Sequence, residues 1–323
     1  MSASATAVEL AVFEPDRFEQ HRRELTGYCY RMLGSSFEAE DAVQETMIRA
    51  WRAQDAFEGR SSVRTWLHRV ATNVCLDMLR SRKRRALPMG LVPVSTADVA
   101  DIGPKLHESM WVLPVPDDRV LSDHADPAQV AAQRDSVRLA FLAALQHLPG
   151  RQRAVLLLRD VLGWSAAEVA ELLDATVASV NSALQRARAT LAAHDPGAAT
   201  QPDDATRREL LAEFMDAFER YDVARITRML HDDAIQSMPP YALWISGADE
   251  IARWMTGPGA GCEGSRVIPV AANGTIAFAQ YRRGGAEPWA IQTLWLDGRR
   301  IRQIHTFLLP EQLFPLFGVP MSL

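Results

Sequence analysis

Over residues 15–85 the apolar positions recur at helical spacing. Phe18, Leu25, Tyr28 and Met32 follow at intervals of seven, three and four and share one helix face. "GSS" interrupts that pattern. A second helix is predicted over residues 38–51, with Val43, Met47, Ala50 and Trp51 inward. The polar loop "FEGRSS" precedes a third, over residues 63–82, whose stripe is Leu67, Val70, Ala71, Val74 and Met78. The stretch up to about residue 14 reads as a short, loose leader.

From residue 87 to about 127 prolines, glycines and acids accumulate and periodicity vanishes, so a linker is expected. It contains "WVLPVPD", an apolar island that a plain solvated spacer does not need. Helical periodicity returns from residue 135. Phe141, Leu145 and Leu148 form one stripe, "PGR" punctuates, and Val155, Leu158 and Leu162 form the next. Ser165 and Glu168 have capping-box spacing and start a short helix that runs to Leu173. A turn at 174–178 leads into the helix "SVNSALQRARATL".

After a second linker, "HDPGAATQPDD", helices are predicted over 210–221, 224–230 and 247–255. "RVIPVAA", "TIAFAQYRR", "AIQTLWLDG" and "RRIRQIHTFLL" alternate apolar and polar residues and read as strands, with "DG" as a hairpin signal. Helices followed by antiparallel strands predict a small α+β domain.

At 323 residues the chain can hold two or three domains with their own cores. Hydrophobic content of 48% and charge of 23% are ordinary for folded proteins and exclude large-scale disorder. A net charge of −5 excludes one large nucleic-acid-coating surface, yet the charge is segregated. Residues 60–85 carry eight basic residues and one acid, whereas residues 101–126 carry six acids and two bases. Cys29, Cys75 and Cys262 fit no metal-ligand spacing and read as free thiols of a reducing compartment, so no metal or cofactor is expected. No apolar run has the length of a membrane span and no signal-peptide pattern opens the chain. A cytoplasmic protein without a membrane partner is expected.

On a helical wheel Val180, Leu184, Ala187 and Leu191 fall within about 40° of one another and form a buried stripe. Ser179, Ser182, Gln185 and Arg186 point away, with Asn181 and Arg188 on the flank. Short hydrogen-bonding side chains and arginines, with small alanines between, suit a helix that reads base edges in a major groove. The capped helix and tight turn before it supply helix-turn-helix geometry. An ordinary solvated amphipathic helix fits the same pattern, so both readings stay open on the helix alone.

The third helix carries its basic residues opposite its apolar stripe, beside "AFEGRSS". That arrangement suits melted nucleic acid, where cations hold phosphates and a pocket receives an unstacked base. For Trp51 and Trp66 core packing is expected. On the second helix Asp41, Gln44, Glu45 and Arg49 share an exposed face whose acids would repel phosphate, which points to a protein partner.

Together these segments resemble bacterial extracytoplasmic-function (ECF) sigma factors. "DAVQETMIRAW" is similar to the helix of conserved region two that docks on core RNA polymerase. "FEGRSSVRTWLHRVATNVCLDMLR" is similar to the element that captures the melted −10 motif. The "LPGRQRAVLLLRDVLGWSAAEVAELLDATVASVNSALQRARATL" run is similar to region four, which reads the −35 motif. The resemblance implies polymerase contacts at Asp41, Gln44, Glu45 and Arg49. It implies −10 contacts at Phe57, Arg60, Arg69, Asn73 and Arg80, and −35 contacts at Ser179, Asn181, Ser182, Gln185, Arg186 and Arg188. Asn181 and Ala183 stand where the family commonly has basic residues, so promoter preference is expected to differ there.

The remainder resembles a SnoaL-like, NTF2-type cone, carried by one subgroup of these sigma factors. Their linkers hold an island like the one formed here by Trp111, Leu113, Pro114, Pro116 and Asp117. The organisation implied is region two at 15–86, a linker at 87–130, region four at 131–194 and the cone at 205–323. The fold class is therefore multidomain: two all-α sigma domains, a helical bundle and a helix-turn-helix, before an α+β cone. The linker's acid excess is expected to mimic nucleic acid in the polymerase's basic RNA-exit path. The cone is expected to contact the sigma core and modulate its activity.

Cones of this type enclose a pocket, for which Tyr241, Trp244, Trp295 and His305 are the expected walls. His231, Asp232, Asp233 and His305 have the chemistry to move a proton. Asp232 and Asp233, however, follow a helix end and read as turn residues, and no catalytic residue is assigned. An unknown small ligand remains a possible partner. The competing class is an autonomous helix-turn-helix regulator with a ligand-sensing C-terminal domain.

Overall fold

The computed structural model describes residues 16–57, 59, 61–80, 84–99, 102–121, 127–194 and 200–323. Helices α1 (Asp16–Glu19), α2 (Arg22–Leu33), α3 (Ser36–Arg52) and α4 (Val63–Arg80) form the first unit. Gly34 ends α2 at φ +73°, a left-handed conformation that costs glycine nothing, and Ser35 caps α3. The expected stripes meet: Leu25, Tyr28 and Met32 are buried in one cluster with Val43, Leu67, Ala71 and Val74. Trp51 does not join them. It is 61% exposed, because it lies about 100° beyond Ala50, the last buried residue of α3. Trp66 is half-buried, with ring centroids 6.1 Å from Phe18 and 5.0 Å from Phe57.

The expected linker is folded down along its described length. Ala86 and Trp111 form a bridge in which Ala86 N–H donates to Met110 O (2.9 Å) and Val112 N–H to Ala86 O (3.0 Å). Residues 87–110 therefore leave and return at one point. Between those rungs the chain runs along the C-terminal domain, where Ser95 N–H donates to Trp244 O at 2.9 Å. Trp111 through Pro116 are all buried, and α5 (Asp117–Val120) follows. The apolar island is thus a spine of the core.

The second helical unit comprises α6 (Pro127–Ser136), α7 (Leu139–Leu145), α8 (Gly150–Leu156), α9 (Ala166–Leu172) and α10 (Val177–His194). Helix α6 starts eight residues before the sequence periodicity returns, since its residues carry no apolar stripe. The capping box is present: Ser165 N–H donates to Glu168 Oε2 (2.7 Å) and Glu168 N–H to Ser165 Oγ (3.2 Å).

The C-terminal domain begins with α11 (Asp204–Glu219) and α12 (Val223–Met229). It continues through β1 (Leu230–Ser237), β2 (Trp244–Ser246), α13 (Ala248–Thr256), β3 (Arg266–Ala272), β4 (Thr275–Arg282), β5 (Glu287–Asp297), β6 (Arg300–Phe307) and α14 (Pro310–Leu316). The sheet order is β2-β1-β6-β5-β4-β3, antiparallel throughout except for the parallel pair β1–β6. Asp232 and Asp233, expected in a turn, lie on the exposed part of β1. Strand alternation gives the sheet two apolar faces. Phe278 faces α11 and stands 5.8 and 5.6 Å from Phe214 and Phe218. Ala279, Tyr281, Ile291 and Phe307 belong instead to the apolar cluster shared with the helical units. No helix among the described residues is long and apolar enough to cross a membrane.

Candidate promoter and polymerase surfaces

Helix α10 is positioned from both ends. Thr176 Oγ1 accepts from Ser179 N–H (3.1 Å) at its start, and Val180, Leu184 and Ala187 anchor it inward. Ser179, Asn181, Ser182, Gln185 and Arg186 are all exposed on the outer face, as the wheel predicted. Arg188 is exposed too, but it is held bidentately by Asp160 at 2.8 and 2.7 Å, which also raises its pKa.

On α4 Asn73 is exposed and Arg80 pairs with Asp77 at 3.0 Å. Arg69 donates to Glu171 O at the C-terminal end of α9, where helix carbonyls lack intrahelical partners. Trp164 lies against the same side of α4, 5.2 Å from the His68 ring and 5.5 Å from the Arg64 guanidinium. Helix α9 and its preceding loop thus cover one flank of the helix that holds Asn73. Phe57 packs on Trp66, and Arg60 lies outside the described residues.

Asp41 and Gln44 are exposed on α3, while Glu45 pairs with Arg49 at 2.6 Å and Arg49 reaches Asp77 of α4 at 3.4 Å. Ile48 (36% exposed) and Trp51 (61%) continue this face by one and two turns. The apolar half of the surface escaped the sequence reading, which placed Trp51 inside.

Asn273 joins the three units. It sits with Gly274 at the β3–β4 turn, both at positive φ (+52° and +66°), as a tight hairpin requires. Its Nδ2 donates to Tyr30 Oη (2.7 Å) and Val137 O (2.8 Å), and its Oδ1 accepts from Val115 N–H (3.1 Å). Tyr30 Oη in turn donates to Leu113 O at 2.7 Å. Next door, Asp117 Oδ1 accepts from Gly274 N–H at 2.7 Å. Burial pushes the Asp117 carboxyl up to about 6, against the lowering pull of that hydrogen bond and of Arg207 and Arg134. Arg31, Arg85 and Arg153 are likewise buried between units, which brings each guanidinium down to about 10. No sequence pattern announced Asn273; the "NG" pair is its one signal.

The expected pocket walls divide. Tyr241 lines a cavity of the C-terminal domain. Trp244 instead donates from Nε1 to Val92 O of the linker at 2.9 Å. Trp295 lies beneath Arg138, 5.4 Å from its guanidinium, on the sheet face turned to the helical units. His305 shares that face, bonded to Ser237 Oγ at 2.7 Å, and burial brings its pKa down to about 4. Period-two alternation explains the error: Gln292 and Thr306 face the cavity, so Thr293, Trp295 and His305 face away. His231, Asp232 and Asp233 pair on the outer surface with one another and with Arg300 and Arg302.

Residues 17–85 match the family described as Sigma-70 region 2, residues 138–191 Sigma-70, region 4, and residues 211–307 the SnoaL-like domain. The ECF RNA polymerase sigma factor SigG of Mycobacterium tuberculosis H37Rv is 46% identical over 312 residues, covering 94% of this chain and 83% of that protein. The chain belongs to the ECF RNA polymerase sigma factors. SigJ of the same organism is 28% identical over 250 residues, covering 76% of this chain and 72% of its own. The crystal structure of SigJ matches at a TM-score of 0.60 and 22% identity, over 96% of this chain and 100% of that one, so the fold is shared. This ECF sigma factor directs core RNA polymerase to promoters, and its family acts by binding rather than by catalysis. The autonomous-regulator reading is set aside by that match.

Proposed function

We propose that three surfaces divide promoter recognition and that the SnoaL-like domain holds the sigma core closed. The exposed face of α10 reads the −35 element, Asn73 with Phe57 and the neighbouring arginines receives the melted −10 strand, and the α3 face docks on core polymerase. The observation that carries the closed state is the Asn273 knot, in which one buried amide bonds region two, the linker spine and the start of region four. Arg69 supports the same reading. A side chain that donates into the end of α9 is not available to a phosphate. The units must separate before both promoter elements are engaged, and core polymerase supplies the competing surface. The linker is committed to the C-terminal domain in this state, so it is released before it threads any polymerase channel.

The test is transcription from a promoter with matched −35 and −10 elements, using core enzyme with and without the purified chain. The expected result is start-site-specific transcript only with both, and weak duplex footprinting by the chain alone. Tight footprinting alone with no added transcription would overturn the proposal.

A further inference from the structure

Between helices α11–α13 and the inner face of the sheet lies a cavity of about 320 Å³. That is within the range of small-molecule sites. Phe214, Phe218, Met238, Trp254 and Ile304 supply apolar walls, and no acidic residue lines it among the described residues. The one charged wall residue among those described, Arg282, lies over the Trp289 ring at 4.1 Å.

Besides Arg282 Nε, which has no hydrogen-bond partner among the described residues, two polar groups in this apolar chamber are left over. Thr306 is 6% exposed, and its Oγ1 has no hydrogen-bond partner among the described residues. The other follows from the direction of a proton chain. Ser265 Oγ donates to Cys262 O (2.6 Å), so it accepts from Gln280 Nε2 (2.9 Å). Gln280 Oε1 therefore accepts from Gln292 Nε2 (2.7 Å), which leaves Gln292 Oε1 as the terminal acceptor. Gln292 and Thr306 are directly paired across β5 and β6. An acceptor next to a hydroxyl suits one ligand hydroxyl, which donates to Gln292 and accepts from Thr306. A buried polar group without a partner is costly, so a ligand that supplies one gains affinity.

The wall is completed from outside the domain. Ile102 of the linker lines the cavity. The chain just after it is fastened by Leu106 N–H to Pro240 O (2.9 Å) and by Lys105 Nζ, 6.0 Å from the Tyr241 ring. We propose that this cavity binds a neutral, largely apolar molecule bearing one hydroxyl, and that Ile102 closes it so that a bound ligand fastens the linker to the C-terminal domain. Binding stands on the cavity alone. Its consequence for transcription rests on the closed-state reading above.

The probe is 2-naphthol, titrated calorimetrically into the full-length protein, with naphthalene as the analogue that lacks the hydroxyl. One-to-one binding is expected, and Thr306→Val should weaken 2-naphthol about five- to ten-fold while leaving naphthalene unchanged. Gln292→Met should give the same discrimination and covers the case in which the first variant is unstable. Ile102→Ala should weaken both probes, and saturating 2-naphthol should slow hydrogen exchange at the Leu106 amide. Absence of binding, or equal effects of both polar substitutions on the two probes, overturns the site. Unchanged exchange at Leu106 together with unchanged affinity in Ile102→Ala overturns the linker's part. Binding with slowed exchange but unaltered transcription supports the site and counts against the closed-state reading.

Discussion

Asn273 Nδ2 lies 2.7 Å from the hydroxyl of Tyr30, across 243 positions of sequence. The contact forms because a hairpin tip with two positive-φ residues reaches into the seam between the helical units. Asn273→Gly keeps the turn and removes only the side chain, which leaves Val115 N–H and Val137 O without partners. Each such orphan costs about 1–3 kcal/mol, so the docked arrangement should weaken by about 2–6 kcal/mol. Hydrogen exchange at Val115 should accelerate, far-ultraviolet dichroism should not change, and transcription at limiting core polymerase should rise. Unchanged exchange and transcription would remove the knot from the mechanism.

Asp117 makes the same seam pH-sensitive. Its folded pKa of about 6 exceeds the ordinary 3.8, so between these values the folded state holds the proton more tightly than the unfolded one. This group's contribution therefore grows as pH falls from 7 through 6 towards 4 and is lost as pH rises again. His305 and His147 run the other way: both are lowered to about 4, so each weakens the folded state as pH drops below 6.5. The decisive quantity is thus the difference between wild type and Asp117→Asn. Wild type should gain stability relative to the variant on going from pH 7 to pH 5 in parallel denaturant titrations. Parallel pH profiles would sink the assignment.

On the −35 reading proposed above, Arg188 exchanges Asp160 for a phosphate as α10 enters a groove. Asp160→Asn should then tighten holoenzyme binding to −35-bearing promoters several-fold. Arg188→Ala should lower the steepness of log K against log salt by about 0.9. Arg186→Ala should cost about 1–3 kcal/mol of −35 discrimination if it reads a base. Filter binding across a salt series, with and without the −35 element, separates the three.

Asn73 is exposed on α4 and contributes nothing to the core of its unit. Asn73→Ala should therefore leave closed-complex formation near wild type and reduce promoter opening about ten-fold, read by permanganate reactivity of unpaired thymines. An equal loss in both assays would point to a fold defect instead.

What the sequence made legible follows from periodicity. The stripes of α4 and α10 each bury one face, so a 3.6-residue pattern locates them, whereas α2 is buried all round over residues 25–33; the capping box fixes the start of α9. Helix α6 escaped because it carries no apolar stripe, and β1 because its exposed "HDD" breaks the alternation. Composition misled at the linker: prolines and acids read as a spacer, yet Trp111 is fully buried. Trp295 and His305 were drawn to the cavity by residue type, whereas the parity of their strand positions sends them to the other face. Asn273 acts through tertiary placement, which no local pattern encodes.

Trp51 carries the last expectation. It is 61% exposed and forms no part of the buried stripe of α3. With Asp41, Gln44 and Ile48 it lies at spacings of three and four, which makes one continuous face with an apolar end. Aromatic anchors of this kind dominate protein interfaces. Trp51→Ala should lower affinity for core polymerase about 30-fold, equivalent to ~2 kcal/mol. The melting midpoint should stay within about 2 °C, because surface substitutions seldom exceed 0.5 kcal/mol. Fluorescence anisotropy of labelled protein against core enzyme reads the first quantity and calorimetry the second. Wild-type affinity in the variant would show that α3 docks through its polar half alone.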